Sequence, residues 1–471
     1  MSFLTRRKPI EANVPSTEHQ LKKTLGWPHL IAFGVGAIVG TGIYTLTGVG
    51  AGLAGPAVIL SFAIAGAVCA CAALAYAEMA TMMPYAGSAY TYTYSVLGET
   101  LAWFVGMSLI LEYTVVCSAV AVGWSAHAAE FIRAGGWGIS NALLLGPGDG
   151  GLINLPAIVI SIAVALLLML GTRESATVSI VLVVIKIAAL AAFVALTLPA
   201  FNGAHFTPFM PNGFAAHYVN GTNVGVMAAA AIIFFAFYGF DAVSTAAEET
   251  KNPARDLKIG IIGSMIACTA IYMIVAAAAI GASAVTAFSK TAAPLVYILN
   301  GLGHGTAAKL VAGAAVLALP TVIMSFMYGQ SRIFFVMARD GLLPVSLAKV
   351  NARTGTPILM TAVTGLIAAA LAGFLPLTDI AALANAGTLC AFIAVATCMI
   401  VMRLREPSRP RQFSAPLWWL TGSFAIVGCI YLFVSLPDFT KIYFAIANAL
   451  GFVFYLLYGA RKSQLAKQAA T

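Results

Sequence analysis

The chain is 471 residues long, 61% hydrophobic and only 9% charged, against about 25% charged in an average soluble domain. A mean hydropathy of +0.94 over that length excludes a soluble core with a polar coat. The formal charge of +9 would suit a nucleic-acid partner, but the basic residues cluster between apolar blocks, where they set membrane topology, and no nucleic acid is expected.

Residues 1–26 are polar and charged, without the apolar stretch of a cleavable leader, and read as a cytoplasmic N-terminal segment. About twelve apolar blocks follow, at roughly 27–49, 56–80, 100–130, 155–171, 176–199, 224–247, 259–281, 307–337, 358–375, 379–402, 417–436 and 442–459. At 1.5 Å per helical residue, such blocks cross a hydrocarbon core of about 30 Å. The sequence therefore predicts an all-α integral membrane protein with the lipid bilayer as its solvent. Blocks 1–10 make a core over 27–402, blocks 11 and 12 a peripheral pair within 403–460, and residues 461–471 a cytoplasmic tail.

Block 1 reads GVGAIVGTGIY from Gly34 to Tyr44, with glycines at 34, 36, 40 and 42. Each glycine costs a helix interior about 1 kcal/mol relative to alanine, and in lipid a freed backbone group must find protein, water or ligand. Such a cluster is expected where a helix opens onto a cavity; close helix packing through small residues explains it too. After block 2, which ends at Glu78, PYAGSAYTYTY (Pro84 to Tyr94) puts aromatics at every second position, as an interfacial piece or the tilted start of block 3.

Block 3 carries Glu112 with Tyr113 beside it, and block 5 carries Lys186. Lys186 lies about ten residues, roughly 15 Å, from the inner end of its block, too deep to snorkel. A charge there costs at least about 3 kcal/mol on insertion scales, so it needs a partner or a wet cavity, and Glu112 is the expected partner. Block 6 reads FFAFYGFDAVSTAAEE from Phe234 to Glu249, with Gly239 followed by Asp241. Asp241 reads either as a cap for a half-helix that starts after the break or as a ligand for a cationic group. Blocks 1 and 6 hold corresponding places if blocks 1–5 and 6–10 are inverted repeats, and paired interruptions of that kind point to a transporter binding site.

Glu78, Glu248 and Glu249 end their blocks on the inner side and are expected to pair with arginines such as Arg332 and Arg339, as part of an inner gate. With the N-terminus inside, about twenty of the 25 Lys and Arg also fall inside, among them Arg6, Arg7, Lys8, Lys22, Lys23, Lys251, Arg255, Lys258, Arg403, Arg405, Arg409, Arg411, Arg461 and Lys462. Arg133, Lys290, Lys309 and Lys441 fall outside, as would the sequon at Asn220 to Thr222. Both termini are thus expected in the cytoplasm. The seven cysteines read as buried hydrophobes, and neither they nor the six histidines make a metal constellation. No nucleotide loop, nucleophile elbow or other catalytic string occurs, so neither an enzyme nor a cofactor is expected, and gradients must drive any transport.

Four strings together resemble a known family: GVGAIVGTGIY in block 1, FFAFYGFDAVSTAAEE in block 6, GQSRIFFVMARDGLLP (Gly329 to Pro344) ending block 8, and LANAGTL (Leu383 to Leu389) in block 10. The chain resembles the amino acid–polyamine–organocation superfamily, and within it the cationic amino acid transporter family with its bacterial members. The resemblance implies the LeuT-type fold, a 5+5 inverted repeat with blocks 1 and 6 discontinuous and two further C-terminal helices, twelve transmembrane helices in all. It implies a substrate carboxylate at the backbone N–H groups of Ile38, Val39, Gly40, Thr41 and Gly42, at the positive end of a half-helix. It puts the ammonium at Phe235, Ala236 and Tyr238, with Asp241 near, at a negative helix end. Lys186 matches a lysine that stands in proton-coupled or uncoupled members where sodium-coupled ones bind a cation, and with Glu112 it is expected to carry the proton.

The expected activity is secondary active transport of amino acids by alternating access, as proton-coupled symport of small neutral and/or cationic L-amino acids. The alternative is a sodium-independent exchanger or facilitator. A monomer in the bacterial inner membrane is expected.

Overall fold

Each apolar block forms helix, because in a hydrocarbon solvent a segment must pair its own backbone N–H and C=O groups. A computed structural model of the chain describes residues 6–10, 21–40, 42–134, 139–147, 150–219, 222–289, 291, 293–375, 377–434, 436 and 438–468. Among them, eight helices are long and apolar enough to cross a membrane, and four shorter apolar ones, Trp27–Ile38, Leu155–Leu170, Ile358–Phe374 and Trp418–Val434, fall on blocks 1, 4, 9 and 11. The all-α expectation meets one exception. His217–Val219 pairs antiparallel with Thr222–Val224, inside the long connection before block 6. Asn220 and Gly221 of the sequon, Thr41 and Lys290 lie outside the described residues.

The helices divide into inward and lipid faces. In the block 5 helix, Thr172–Thr197, Val178, Val181 and Val184 are exposed at three-residue spacing, while Val183, Lys186, Leu190 and Phe193 are buried. An exposed valine stripe of this kind is stable only against acyl chains. The block 8 helix, Gly305–Arg339, contains Pro320. Proline has no N–H for the carbonyl four residues before it, and here the Trp124 indole donates to that Val316 oxygen at 2.8 Å. Helix 8 therefore runs on unbroken against the block 3 helix, Glu99–Ala134.

The aromatic stretch after block 2 is not the start of block 3. Gly87 and Ser88, both with positive φ, turn the chain into a separate short helix, Ala89–Val96. Tyr90, Tyr92 and Tyr94 are all buried. Around a helix Tyr90 and Tyr94, spaced i, i+4, share one face while Tyr92 points the opposite way, and neighbours on both sides cover them.

Candidate functional site: two helix breaks that face each other

Block 1 breaks where the glycines predict. The helix Trp27–Ile38 stops at Val39, whose backbone is extended, and helical structure resumes at Gly42–Leu46 and Thr47–Ala54. Block 6 runs as Val226–Ile233, tightens over Phe234–Ala236, turns at Gly239 and resumes at Phe240–Thr245. Gly239 has a φ of 123°, a conformation a side chain rarely adopts.

The breaks pack against each other, and this contact explains two glycines. A Cβ on Gly239 would lie 2.8 Å from the Ala37 Cβ, and one on Gly42 would lie 2.4 Å from the Ala236 Cβ. The Tyr272 hydroxyl, from the block 7 helix Pro253–Ala282, bridges both breaks: it lies 2.6 Å from the Ile38 carbonyl and 2.9 Å from that of Ala236. Both oxygens are orphans of a helix end. Sequence reasoning missed Tyr272, whose place emerges only when block 7 is packed across both breaks.

Lys186 is fully buried and donates to the carbonyls of Gly36 (3.0 Å) and Val39 (2.5 Å) and to the Thr321 hydroxyl (2.7 Å). The first half of block 1 ends in a negative dipole with unpaired oxygens, and the ammonium sits against it. The expected Lys186–Glu112 pair does not form. Glu112 accepts from the Thr388 hydroxyl of block 10 through Oε1, and its Oε2 has no partner among the described residues. Depth along two helices said nothing about which faces meet, and the face of block 5 bearing Lys186 meets blocks 1 and 8.

Tyr113, beside Glu112, donates its hydroxyl to Oδ2 of Asp241, while Asp241 Oδ1 accepts the Gly239 N–H at 3.0 Å. Asp241 thus holds the turn of the break.

Between the breaks lies a small cavity of about 10 Å³, room for roughly one water. Ile38, Gly40, Gly42, Phe235 and Tyr238 line it. Val39 and Ala236 turn their carbonyls instead to Lys186 and Tyr272, and Asp241 is not among the lining residues. The remaining walls are apolar: Val116 and Val120 from block 3, Val322 and Phe326 from block 8. Each pair is spaced i, i+4, one helix face, a signal present in the sequence but indistinguishable there from core packing. Phe326 meets Tyr113 edge-on at 5.0 Å and Tyr238 at 5.9 Å.

The acidic ends of blocks 2 and 6 pair with arginines, as expected. Arg339 makes two bonds to Glu248 (3.0 and 2.7 Å), and Arg332 meets Glu249 at 2.8 Å with its guanidinium 3.7 Å above the Tyr328 ring. Glu78 takes Arg403 at 2.8 Å and Arg411 at 3.2 Å. The Glu248 and Glu249 pairs tie the second half of block 6 to the end of block 8, and those of Glu78 tie block 2 to the end of block 10.

A family profile described as amino acid permease matches residues 25–457. The chain is 41% identical to the branched-chain amino acid permease BcaP of Bacillus subtilis (strain 168), over 98% of each protein. It is 37% identical to the methylthioribose transporter of the same organism, over 99% of this chain and 100% of that one. To the vacuolar cationic amino acid transporter 4 of Arabidopsis thaliana it is 35% identical, over 86% of this chain and 68% of that protein.

Proposed function

The chain belongs to the amino acid permease family, a multi-pass membrane protein and not an enzyme, and on that premise we propose that it carries aliphatic L-amino acids by alternating access. The observation that carries this reading is the pair of facing helix breaks with a cavity between them. Broken helices offer unpaired N–H groups to a carboxylate and unpaired carbonyls to an ammonium, with no charged side chain needed. N–H groups from Gly40 to Gly42 hold the carboxylate, because that of Val39 already donates to the Val35 carbonyl at 2.9 Å, and carbonyls at Phe235 and Tyr238 hold the ammonium. Thr41 belongs to this stretch by sequence. The apolar walls Val116, Val120, Val322 and Phe326 favour an aliphatic side chain, and a relative named for branched-chain amino acids supports the same choice. Blocks 1–12 are twelve spans in a LeuT-type 5+5 arrangement with two peripheral helices, both termini are cytoplasmic, and the protein works as a monomer in the bacterial inner membrane.

Transport then proceeds by closing one side before opening the other. The Arg339–Glu248 and Arg332–Glu249 pairs form the inner gate, and the cavity with room for only one water corresponds to an occluded form. We propose coupling through Lys186: losing its proton releases the Gly36 and Val39 carbonyls and loosens the break. A second reading, exchange or facilitated diffusion, is favoured by one specific observation. Lys186 fills acceptors of the block 1 break, the Gly36 and Val39 carbonyls, and the Thr321 hydroxyl, a structural role that needs no change of charge during transport.

The test is uptake of a panel of labelled amino acids into proteoliposomes without sodium, with and without an imposed pH gradient. Gradient-stimulated uptake of leucine, isoleucine or valine is the expected result. Uptake indifferent to the gradient selects the facilitator or exchanger, and failure to take up any amino acid refutes the reading.

A further inference from the structure

Residues 6–10, the end of the helix Ala89–Val96 and the end of the block 10 helix, Leu377–Arg405, meet on the face that carries both chain ends. A cavity of about 300 Å³ opens between them. Its lining carries four cations, Arg7, Lys8, Arg405 and Arg409, and one carboxylate, Glu406. Two of these charges are answered, Lys8 by Asp340 at 2.6 Å and Arg409 by Glu406 at 2.7 Å. Two are not. Arg405 donates to the Val96 carbonyl at 2.8 Å and meets no carboxylate among the described residues, and the exposed Arg7 makes no ion pair among them.

This imbalance is local. Elsewhere on the same face the buried arginines are matched, Arg332 to Glu249, Arg339 to Glu248, Arg403 and Arg411 to Glu78. A concave site with surplus guanidinium groups lacks an anion of suitable shape, and guanidinium forks match the oxygens of a phosphate. The block 10 helix, long and apolar enough over Leu383–Arg405 to cross a membrane, ends at this site. The charged groups therefore sit about where hydrocarbon gives way to headgroups, the setting in which basic pockets hold anionic lipids.

We propose that this cavity is a binding site for a phosphate-class anion, an anionic phospholipid headgroup or free phosphate, held by Arg7 and Arg405 with help from Arg409. An anion there ties the N-terminal stretch to the end of block 10. The site is separate from the cavity between the helix breaks and does not depend on what is transported.

Two arms of one experiment test it on the purified full chain. In the first, the protein is placed in nanodiscs of phosphatidylcholine with a minor fraction of phosphatidylglycerol, and retained phosphatidylglycerol is counted by native mass spectrometry. In the second, the thermal midpoint in detergent is followed against inorganic phosphate and against chloride at equal ionic strength. The wild type is expected to retain phosphatidylglycerol, to be raised by phosphate, or both. A response to the lipid alone identifies a headgroup site, and a response to phosphate alone identifies a free-anion site. The affinity should fall about fivefold in Arg7→Gln and roughly twenty-five-fold in Arg7→Gln/Arg405→Gln, from about fivefold per surface cation. Arg7 is exposed, so its single variant answers the question if the double variant does not fold. Lys251→Gln/Arg255→Gln, on exposed basic residues elsewhere on this face, should leave binding unchanged. No response in either arm, or equal binding by Arg7→Gln and the wild type, overturns the proposal.

Discussion

At Gly42 a single hydrogen atom decides whether the two breaks can meet, since a methyl group there would sit 2.4 Å from the Ala236 Cβ. Overpacking of this kind costs about 1–3 kcal/mol where the surroundings can shift. Gly42→Ala is therefore expected to cut uptake more than tenfold while lowering the thermal midpoint only modestly, both measurable in proteoliposomes and detergent. Lys186 works differently, because it satisfies rather than separates. Removing it orphans the Val39 carbonyl in a dry setting, at about 1–3 kcal/mol, and takes one of two donors from the Gly36 carbonyl, which keeps the Thr321 hydroxyl at 3.0 Å. Lys186→Ala should thus lose both stability and pH-gradient-stimulated uptake. Full gradient-driven uptake in that variant would remove Lys186 from coupling and leave it a structural cation. Both residues were conspicuous in the sequence, a glycine in a glycine cluster and a lone deep lysine. Their partners were not, because Lys186 lies 150 residues from Gly36 along the chain.

Between elements, the structure holds its breaks together with few groups. The Tyr272 hydroxyl serves the orphan carbonyls of blocks 1 and 6 at once. Tyr272→Phe keeps the ring, which packs at 5.2 Å on Phe237, and removes only the bridge. A loss of about 1–3 kcal/mol in stability and a raised KM for uptake are the expected outcomes. At the other end of block 6, Arg339→Ala strands Glu248 as a buried unpaired charge, a loss of about 3–5 kcal/mol to the closed arrangement. If the pair is a gate, a cysteine at the buried Ser244 should become more than tenfold faster to label with a water-soluble thiol reagent. Unchanged labelling would make the pair a brace, not a gate. The pairing of these acids with arginines could be expected from charge type and position at block ends. The short helix Ala89–Val96 could not, because its alternating tyrosines imitate a strand-like period and only burial on all sides makes a helix of them.

Across the whole molecule, the stretches at both chain ends are clasped to the same face. Glu99, fully buried, accepts from the hydroxyls of Tyr94 (3.1 Å), Tyr455 (2.9 Å) and Ser463 (2.9 Å), with Arg6 3.8 Å away. Asp340, directly after Arg339, accepts from Lys8 at 2.6 Å and Tyr90 at 2.9 Å, and its carbonyl takes the Gln464 N–H at 3.0 Å. Removing residues 460–471 should accordingly lower the thermal midpoint and speed labelling at a Ser244→Cys probe, since the tail braces the loop that follows the gate arginine. The sequence by itself determined that this protein lives in a membrane, where its helices run, where two of them break and which end gathers the basic residues. Those properties follow from local quantities: transfer free energy summed over a block, the conformational cost of glycine, and charge at block ends. Only the tertiary structure decided that Lys186 serves carbonyls and not Glu112, that Tyr113 holds Asp241, and that Val116, Val120, Val322 and Phe326 wall the cavity. Each depends on which helix faces meet, and an apolar side chain looks the same in sequence whether it faces a core, a lipid or a ligand.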